Sequence, residues 1–505
     1  MNEHLQAQYS TEVEKTAERI TDPRELPEAG FQSYEKLKNN SVAEKPVFLS
    51  GEIRNPRLEY SGLKNLADMD QGILNLYDAI ETIKTIEPDE GKVEAYSSSL
   101  SFRMAEMEYI KLLARLNFVV SEDGDESTVR ELIDQVRQLG AELYGEPEQG
   151  LRDSTFATIR KVIEGKQLSA SAQALYDDLN NGFSWGDVAV DALPSPENTK
   201  ELPSFEHPSL NWAGEIILEK NAVFAKIVEE YFDAKVAEHG EGYSASPEDV
   251  LELIKIILVT LDPDNESGID AVLDPEATSL SWSSPELLVK VGANRAVIKT
   301  ANKLFVKSLH EVIIHAGRAV NGFKSELSVL GTGLFTNTER QDYLTFEEGF
   351  GVTTEEIVGD VKPEWKGLKL SHYTSIALAE RGDDFRSVFE TSWRYRLLMD
   401  LKDGEEVTEE MITKKQALIY PSIVRVFRGM PQDLKAKYPD MPSLTFNKDL
   451  AYLNGRVLAM NHIAELYETK DTEGLLDLFL AKYDPTVPEQ KALFEKYKKY
   501  QQIDI

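Results

Sequence analysis

Leu309-His-Glu-Val-Ile-Ile-His-Ala-Gly-Arg318 lies past the middle of a 505-residue chain and sets two histidines five residues apart, with a glutamate between them. The chain has only seven histidines, and no other two lie this close. Two imidazoles can hold a zinc ion, and the carboxylate of Glu311 can take the proton of an activated water. The spacing constrains the backbone. On a regular helix, side chains at i and i+4 lie nearly above one another, whereas i and i+5 diverge by about 140°. His310 and His315 can therefore meet one ion only if a π-bulge adds a residue to the turn, or if the helix ends near His315, which Gly317 permits. The sequence predicts a distortion between Glu311 and Gly317.

Composition narrows the chemistry around this stretch. Cysteine is absent, which excludes a disulfide framework and thiolate ligands, so any zinc must use His and carboxylate. The hydrophobic fraction of 41% is that of a folded globular protein. The net charge of -33 provides no basic footprint for nucleic acid, and anionic membrane surfaces would repel it. Met1 to Ile20 are polar and charged, so no signal peptide is expected. The most apolar run, Leu253 to Leu261, contains Lys255 and falls short of the ~20 residues a membrane span needs. A cytoplasmic location is the expectation.

The length allows two or three domains of ~100–200 residues. Residues 1–60 contain Pro23, Pro27, Pro46 and Pro56 and read as an irregular lead-in. Helical stripes follow: Leu66, Met69, Ile73, Leu74, Leu76 and Tyr77, then Met104, Met107, Ile110, Leu113 and Leu116. The acidic stretch Ser121 to Glu126 reads as a loop before a helix over Val129–Leu143. Helical patterns continue through Phe156–Ile163 and Ala170–Leu179. Between Val188 and Pro208, four prolines break the pattern and mark a boundary near residue 205. Beyond it, Trp212–Ala237 reads as one long helix. Ser246-Pro247-Glu248-Asp249 reads as a helix start, with a serine cap and proline at the first position. Ala296–Lys299 and Ile423–Phe427 are the candidate strands. The expected fold is α+β and predominantly helical. It comprises an N-terminal helical region (1–205) and a second domain (206–505) with a small sheet.

Two histidines leave a catalytic zinc one protein ligand short. The nearest candidates lie in Leu344-Thr-Phe-Glu-Glu-Gly-Phe-Gly-Val-Thr-Thr-Glu-Glu356. Glu347 and Glu348 precede a glycine there, and Glu348 and Glu355, seven apart, share a helix face. The same acids would also suit a solvated surface cluster.

Further motifs accompany these residues. His310-Glu-Val-Ile-Ile-His315 continues into Arg318-x-x-Asn321-Gly322. Thr345-Phe-Glu-Glu-Gly-Phe-Gly351 follows, then Arg425-Val-Phe-Arg-Gly429, Phe446-Asn-Lys-Asp449 and Tyr452-Leu-x-Gly455. Asn55-Pro-Arg-Leu-Glu-Tyr60 lies upstream. In this order they resemble the signatures of the QEGLA-motif family, which includes the microtubule-associated tyrosine carboxypeptidases. The resemblance runs over roughly 50–470. Phe350 and Gly351 depart from the usual Leu-Ala, and Val312-Ile313-Ile314 lacks the common glycine.

The resemblance implies a zincin-like metallopeptidase domain. It implies one zinc per chain, held by His310, His315 and Glu348, with Glu311 as general base. The activity implied is hydrolysis at a peptide or protein C-terminus. Recognising a free carboxylate calls for Arg or Lys near the metal, and Arg318, Arg428 and Lys448 are the candidates. Tyr452 is placed to serve an oxyanion, and Glu355 to orient a ligand. The alternative is a catalytically inactive, acidic helical binding protein that retains the fold. The retention of Glu311 favours the enzyme. The acidic far field predicts that acidic tails, such as those of tubulin, are not favoured substrates. His372, His462 and the Trp393–Arg396 run read as structural packing.

Overall fold

The helical stripes become helices in a computed structural model, which describes residues 39–60, 63, 66–186, 188–275, 277, 279–284, 286–336, 342–359, 365 and 368–498. Residues 1–38, most of the expected lead-in, lie outside the described residues. The first half holds α1 (Ser41–Leu49), α2 (Leu66–Ile86), α3 (Glu90–Ser121), α4 (Glu126–Tyr144), α5 (Gln149–Glu164) and α6 (Ala170–Asn181). Aspartates start the two long helices that follow α2. Asp89 accepts the Gly91 and Lys92 N–H groups, and Asp125 accepts that of Thr128, satisfying donors the first turn leaves open. The expected loop between them spans only a few residues. A short hairpin follows, β1 (Phe183–Trp185) with β2 (Val188–Val190).

The expected single helix over Trp212–Ala237 is two, α7 (Pro208–Lys220) and α8 (Ala222–His239), broken at Asn221. Next, α9 (Pro247–Leu261) begins with a full capping box in which Ser246 and Asp249 each accept the other's backbone N–H. A three-stranded sheet comes next: β3 (Asp270–Asp274), β4 (Leu280–Ser283) and β5 (Leu288–Gly292). Its order is β3-β5-β4, with β5 parallel to β3 and antiparallel to β4, so β4 lies at an edge. The small sheet exists, but neither candidate strand belongs to it. Ala296–Lys299 contributes one isolated bridge, Ile298 to Ala245. Ile423–Phe427 forms the end of a helix, because its β-branched residues bury themselves among neighbouring helices and packing overrides their propensity.

The remaining elements are α10 (Ala301–Ser308), a π-helix (Leu309–Ala316), α11 (Gly317–Phe323), α12 (Val329–Thr332), α13 (Leu344–Val358), α14 (Leu368–Arg381), α15 (Phe385–Asp400), α16 (Glu409–Val426), α17 (Leu434–Lys437), a 3-10 turn (Asn447–Asp449), α18 (Leu450–Thr469), α19 (Thr472–Asp477) and α20 (Pro488–Tyr497). The fold is thus predominantly helical with small sheets. No helix among the described residues is long and apolar enough to cross a membrane.

The cores do not respect a boundary at 205. Phe156, Ile159 and Leu179 share one with Phe385, Phe389 and Ile423, and Tyr109 and Leu113 share another with Met430 and Phe446. The proline-rich stretch after β2 is a connection, and the helices before it are packed into the second half. One core belongs to the second half alone, joining α7–α9, the sheet, the π-helix, α13 and α18.

Within that core α13 and α18 cross at contact distance. A Cβ on Gly349 would lie 1.9 Å from the Gly455 carbonyl, and one on Gly455 would lie 1.8 Å from the Thr345 carbonyl oxygen. Only glycine at both positions allows the two backbones to touch. This crossing fixes α13, which carries the candidate acids, beside α18, which begins just before Tyr452.

Candidate metal centre

Leu309–Ala316 is π-helical between two regular α-helices, and it spans the predicted distortion. The extra residue in the turn carries His315 round to the side of His310, and the ring centroids lie 5.0 Å apart. Every residue of the segment except Glu311 is buried. Packing on both sides holds the wound-out turn, which isolated chain would not favour.

Each imidazole is anchored through Nδ1. His310 Nδ1 lies 2.9 Å from Glu355 Oε2, and His315 Nδ1 lies 2.7 Å from Glu347 Oε1. A carboxylate at Nδ1 favours the proton there and leaves the Nε2 lone pair for a metal. Both anchors come from α13, with Gly351 midway between them in sequence. A Cβ on Gly351 would lie 2.9 Å from His310 Nε2. Glycine at this departure from the family pattern leaves that nitrogen uncovered.

The Glu347 anchor is itself buried and heavily compensated. Its carboxylate meets Arg318 Nη1 at 3.2 Å and Lys482 Nζ at 2.5 Å. Burial would raise its pKa, but Lys482, His315 and Arg318 hold it below the usual carboxylate range. For His315, burial would favour the neutral ring, and the hydrogen bond and charge of Glu347 outweigh it and raise its pKa. On the other side, Lys307 pairs with Glu355.

Among the described residues, His310, Glu311 and His315 are the three whose ligand atoms all lie within 4.8 Å of one another. Glu348 is outside that set. It lines the same cleft, and its charge is the leading reason that the Tyr452 phenol has a raised pKa. Glu311 Oε2 accepts the Trp282 N–H from edge strand β4 at 3.2 Å. The donor set suits a metal by chemistry: two imidazole nitrogens with carboxylates beside them and no thiolate.

The cleft above these residues has a volume of about 580 Å³. Helix α3 supplies Phe102, Arg103 and Glu106 to its wall, so the N-terminal helices shape the site. Glu348, Glu355, Arg428, Lys448 and Tyr452 all line it. Arg318 does not. It is completely buried and spends its guanidinium on Glu347 and on the Ala481 and Tyr483 carbonyls. Its role is to brace the anchor of His315, and no substrate can reach it.

Two cleft residues escaped sequence reasoning. Glu347 was passed over for its neighbour, although the buried side of an amphipathic helix was the place to look for an anchor. Arg425 lay within a quoted motif, but nothing in the sequence distinguished it from Arg428. His462 is buried away from the centre, whereas His372 is buried behind the cleft wall, its Nδ1 3.6 Å from Asp449 Oδ2 and its ring 6.1 Å from that of Tyr452. His372 Nε2 lies 3.3 Å from Ser422 Oγ, and His462 packs edge-on against Phe346. Trp393 donates to Glu390 inside α15, consistent with packing.

No curated protein and no solved structure matches the chain. A family model does, over a span that takes in the π-helix, α13, α16, α18 and every histidine and glutamate of the centre. Over residues 289–490 the chain matches the model of the family described as microtubule-associated tyrosine carboxypeptidase.

Proposed function

We propose that this chain is a zinc-dependent carboxypeptidase that hydrolyses the last peptide bond of a peptide or protein. The observation that carries the proposal is the π-helix, which turns two histidines spaced five apart towards one point while two carboxylates hold their Nδ1 atoms. The matched family is one of carboxypeptidases, and the family's description names tyrosine as the residue removed. A histidine-bearing helix beside an edge strand supports a zincin-like reading of this part of the fold.

His310, His315 and Glu348 are the residues that would hold the ion, with Glu311 left as the base. Zinc, when bound, lowers the pKa of a water to about 7 and polarises a carbonyl. Glu311 takes the proton from the attacking water and returns it to the leaving amine. The Trp282 N–H holds one carboxylate oxygen of Glu311 and leaves the other for that transfer. Tyr452 stays protonated, because the Glu348 charge and burial both raise its pKa. It is therefore a donor to the oxyanion that develops on the scissile carbonyl. Arg428 and Lys448 supply positive charge for the substrate's terminus.

Metal analysis of the purified protein tests this beside Glu311→Gln, Glu348→Gln and His315→Ala. The expected result is one zinc per chain in wild type and in Glu311→Gln, with peptide turnover lost in the latter. The histidine variant and Glu348→Gln should lose the ion. Zinc retained in His315→Ala, or wild-type turnover in Glu311→Gln, would overturn the assignment.

A further inference from the structure

Resting on the carboxypeptidase reading, we propose that Arg425, clamped by Asp449 beside Tyr452, is the residue that reads the free α-carboxylate of the substrate's last residue. The cleft is lined by six cations, and most are already committed. Arg103 pairs with Glu106, Lys290 with Glu286, and Lys307 with Glu355. Arg425 is also paired, but in a way that leaves part of it available. Its Nε and Nη2 donate to the two oxygens of Asp449 at 2.8 and 2.6 Å. A guanidinium carries five N–H donors in a rigid fork; with Asp449 taking two and the Tyr452 hydroxyl within reach of a third, two remain for a ligand. The side chain is 40% exposed, and it lines the cleft.

A purely structural arginine looks different in this molecule. Arg318 has no exposed surface and is bonded along its whole guanidinium by protein oxygens. Arg425 is fixed by Asp449 along one edge, is steadied by Tyr452, and still has donors to spare, the arrangement that recognises a second carboxylate with little orientational cost at binding.

Position argues the same way. The guanidinium lies 5.9 Å from the centre of the Tyr452 ring, and among the charged groups acting on the Tyr452 phenol Glu348 comes first and Arg425 next. One tyrosine is thus in reach of both the candidate metal ligand and the candidate carboxylate receptor, and all three line the same cleft. An exopeptidase needs its receptor about one residue from the scissile carbonyl, a reach of at most ~3.6 Å of chain. Asp449 cancels the charge of Arg425, and Arg428 makes up the balance. It lines the same cleft three residues on, over Phe446, and no carboxylate pairs with it among the described residues.

The test compares two peptides of one sequence, ending in the free acid or the amide, with zinc-loaded full-length protein. The readout is the ratio of their kcat/KM values. Wild type should favour the acid by roughly 100-fold, the scale of a charge-assisted pair of hydrogen bonds. In Arg425→Met that ratio should fall to within about 3-fold, through KM for the acid, and Arg425→Lys should recover only part of it, since charge without the fork is not enough. Arg425→Met/Asp449→Asn removes both charges of the pair and should behave as Arg425→Met, which covers misfolding around an unpaired Asp449. A wild-type enzyme that cleaves acid and amide alike refutes the carboxypeptidase reading. A wild type that discriminates, with both variants discriminating equally well, refutes the role of Arg425 alone.

Discussion

Replacing Gly455 by Ala should unseat the metal centre from the far side of α13. Alanine is favoured over glycine in a helix interior by roughly 1 kcal/mol. Here the methyl would lie 1.8 Å from the Thr345 carbonyl oxygen and 2.9 Å from the Gly349 amide nitrogen. Both are backbone atoms, so no side-chain rotation relieves the overlap. Opening 1.8 Å to an ordinary contact of 3.4 Å parts α13 and α18 by about 1.6 Å. Overpacking costs ~1–3 kcal/mol where side chains can yield, and a backbone clash belongs at the top of that range, leaving a net loss of about 2 kcal/mol. Gly214 is the control. In α7 its added Cβ would meet only the Ile357 carbonyl oxygen at 3.5 Å, so Gly214→Ala should be neutral or stabilise by up to ~1 kcal/mol. Parting the helices also shifts Glu347, Glu348 and Glu355, which all ride on α13, so zinc should bind at least ~10-fold more weakly in Gly455→Ala. Urea unfolding of the metal-free variants and zinc affinity against a competing chelator measure both effects. A Gly455→Ala protein as stable as Gly214→Ala, with wild-type zinc affinity, refutes the reasoning.

Other expectations follow from buried charge. Burial lowers the His372 pKa to about 4 from an ordinary 6.5, so the unfolded chain takes up a proton that the folded one refuses. Its contribution to stability is present above pH 6.5 and is lost as pH falls towards 4, a loss of roughly 3 kcal/mol. His372→Gln should flatten the fall in unfolding free energy between pH 7 and pH 4 by that amount, and an unchanged slope counts against the burial argument. Lys482→Met removes one of the cations holding Glu347 and, with Arg318 still in place, should cost about 3 kcal/mol by urea unfolding. An acidic peptide should be cleaved more slowly than a neutral one with the same last residue at low salt, and the gap should narrow as salt shortens the Debye length to ~10 Å at 0.1 M. Faster cleavage of the acidic peptide at low salt would show that the cleft cations overcome the net charge of -33.

The distortion in the His310–His315 turn was legible because helix periodicity is arithmetic: a five-residue spacing either fails or winds out. The start of α9 was legible because capping is local, and Ser246-Pro247-Glu248-Asp249 holds all of its parts. The sheet was not. Leu280-Ser-Trp-Ser283 and Leu288–Gly292 are too short to show a period of two clearly, and their pairing is settled by tertiary contact. Ile423–Phe427 misled because β-branched residues are equally at home in a buried helix. Glu347 and Glu348 are indistinguishable as letters. One step of 100° puts the first against His315 inside the core and the second on the cleft wall.

That step also explains why a conspicuous pair of glutamates precedes Gly349. The first must be buried to hold His315, and a buried carboxylate is tolerable only with cations around it. Arg318, one turn beyond His315, and Lys482 from the strap after α19 provide them. The second must stay in the cleft, in electrostatic reach of His315 and Tyr452. Both demands fall on adjacent residues of one helix, so the rotation and height of α13 have little freedom. The contact of Gly349 with Gly455 sets that height, and on the other side of the same contact α18 sets Tyr452 beside Arg425. The anchors of the candidate metal ligands and the candidate carboxylate receptor are therefore located by one helix crossing. A disturbance there should weaken metal affinity and terminal-carboxylate discrimination together, whereas a change at Arg425 should touch only the second.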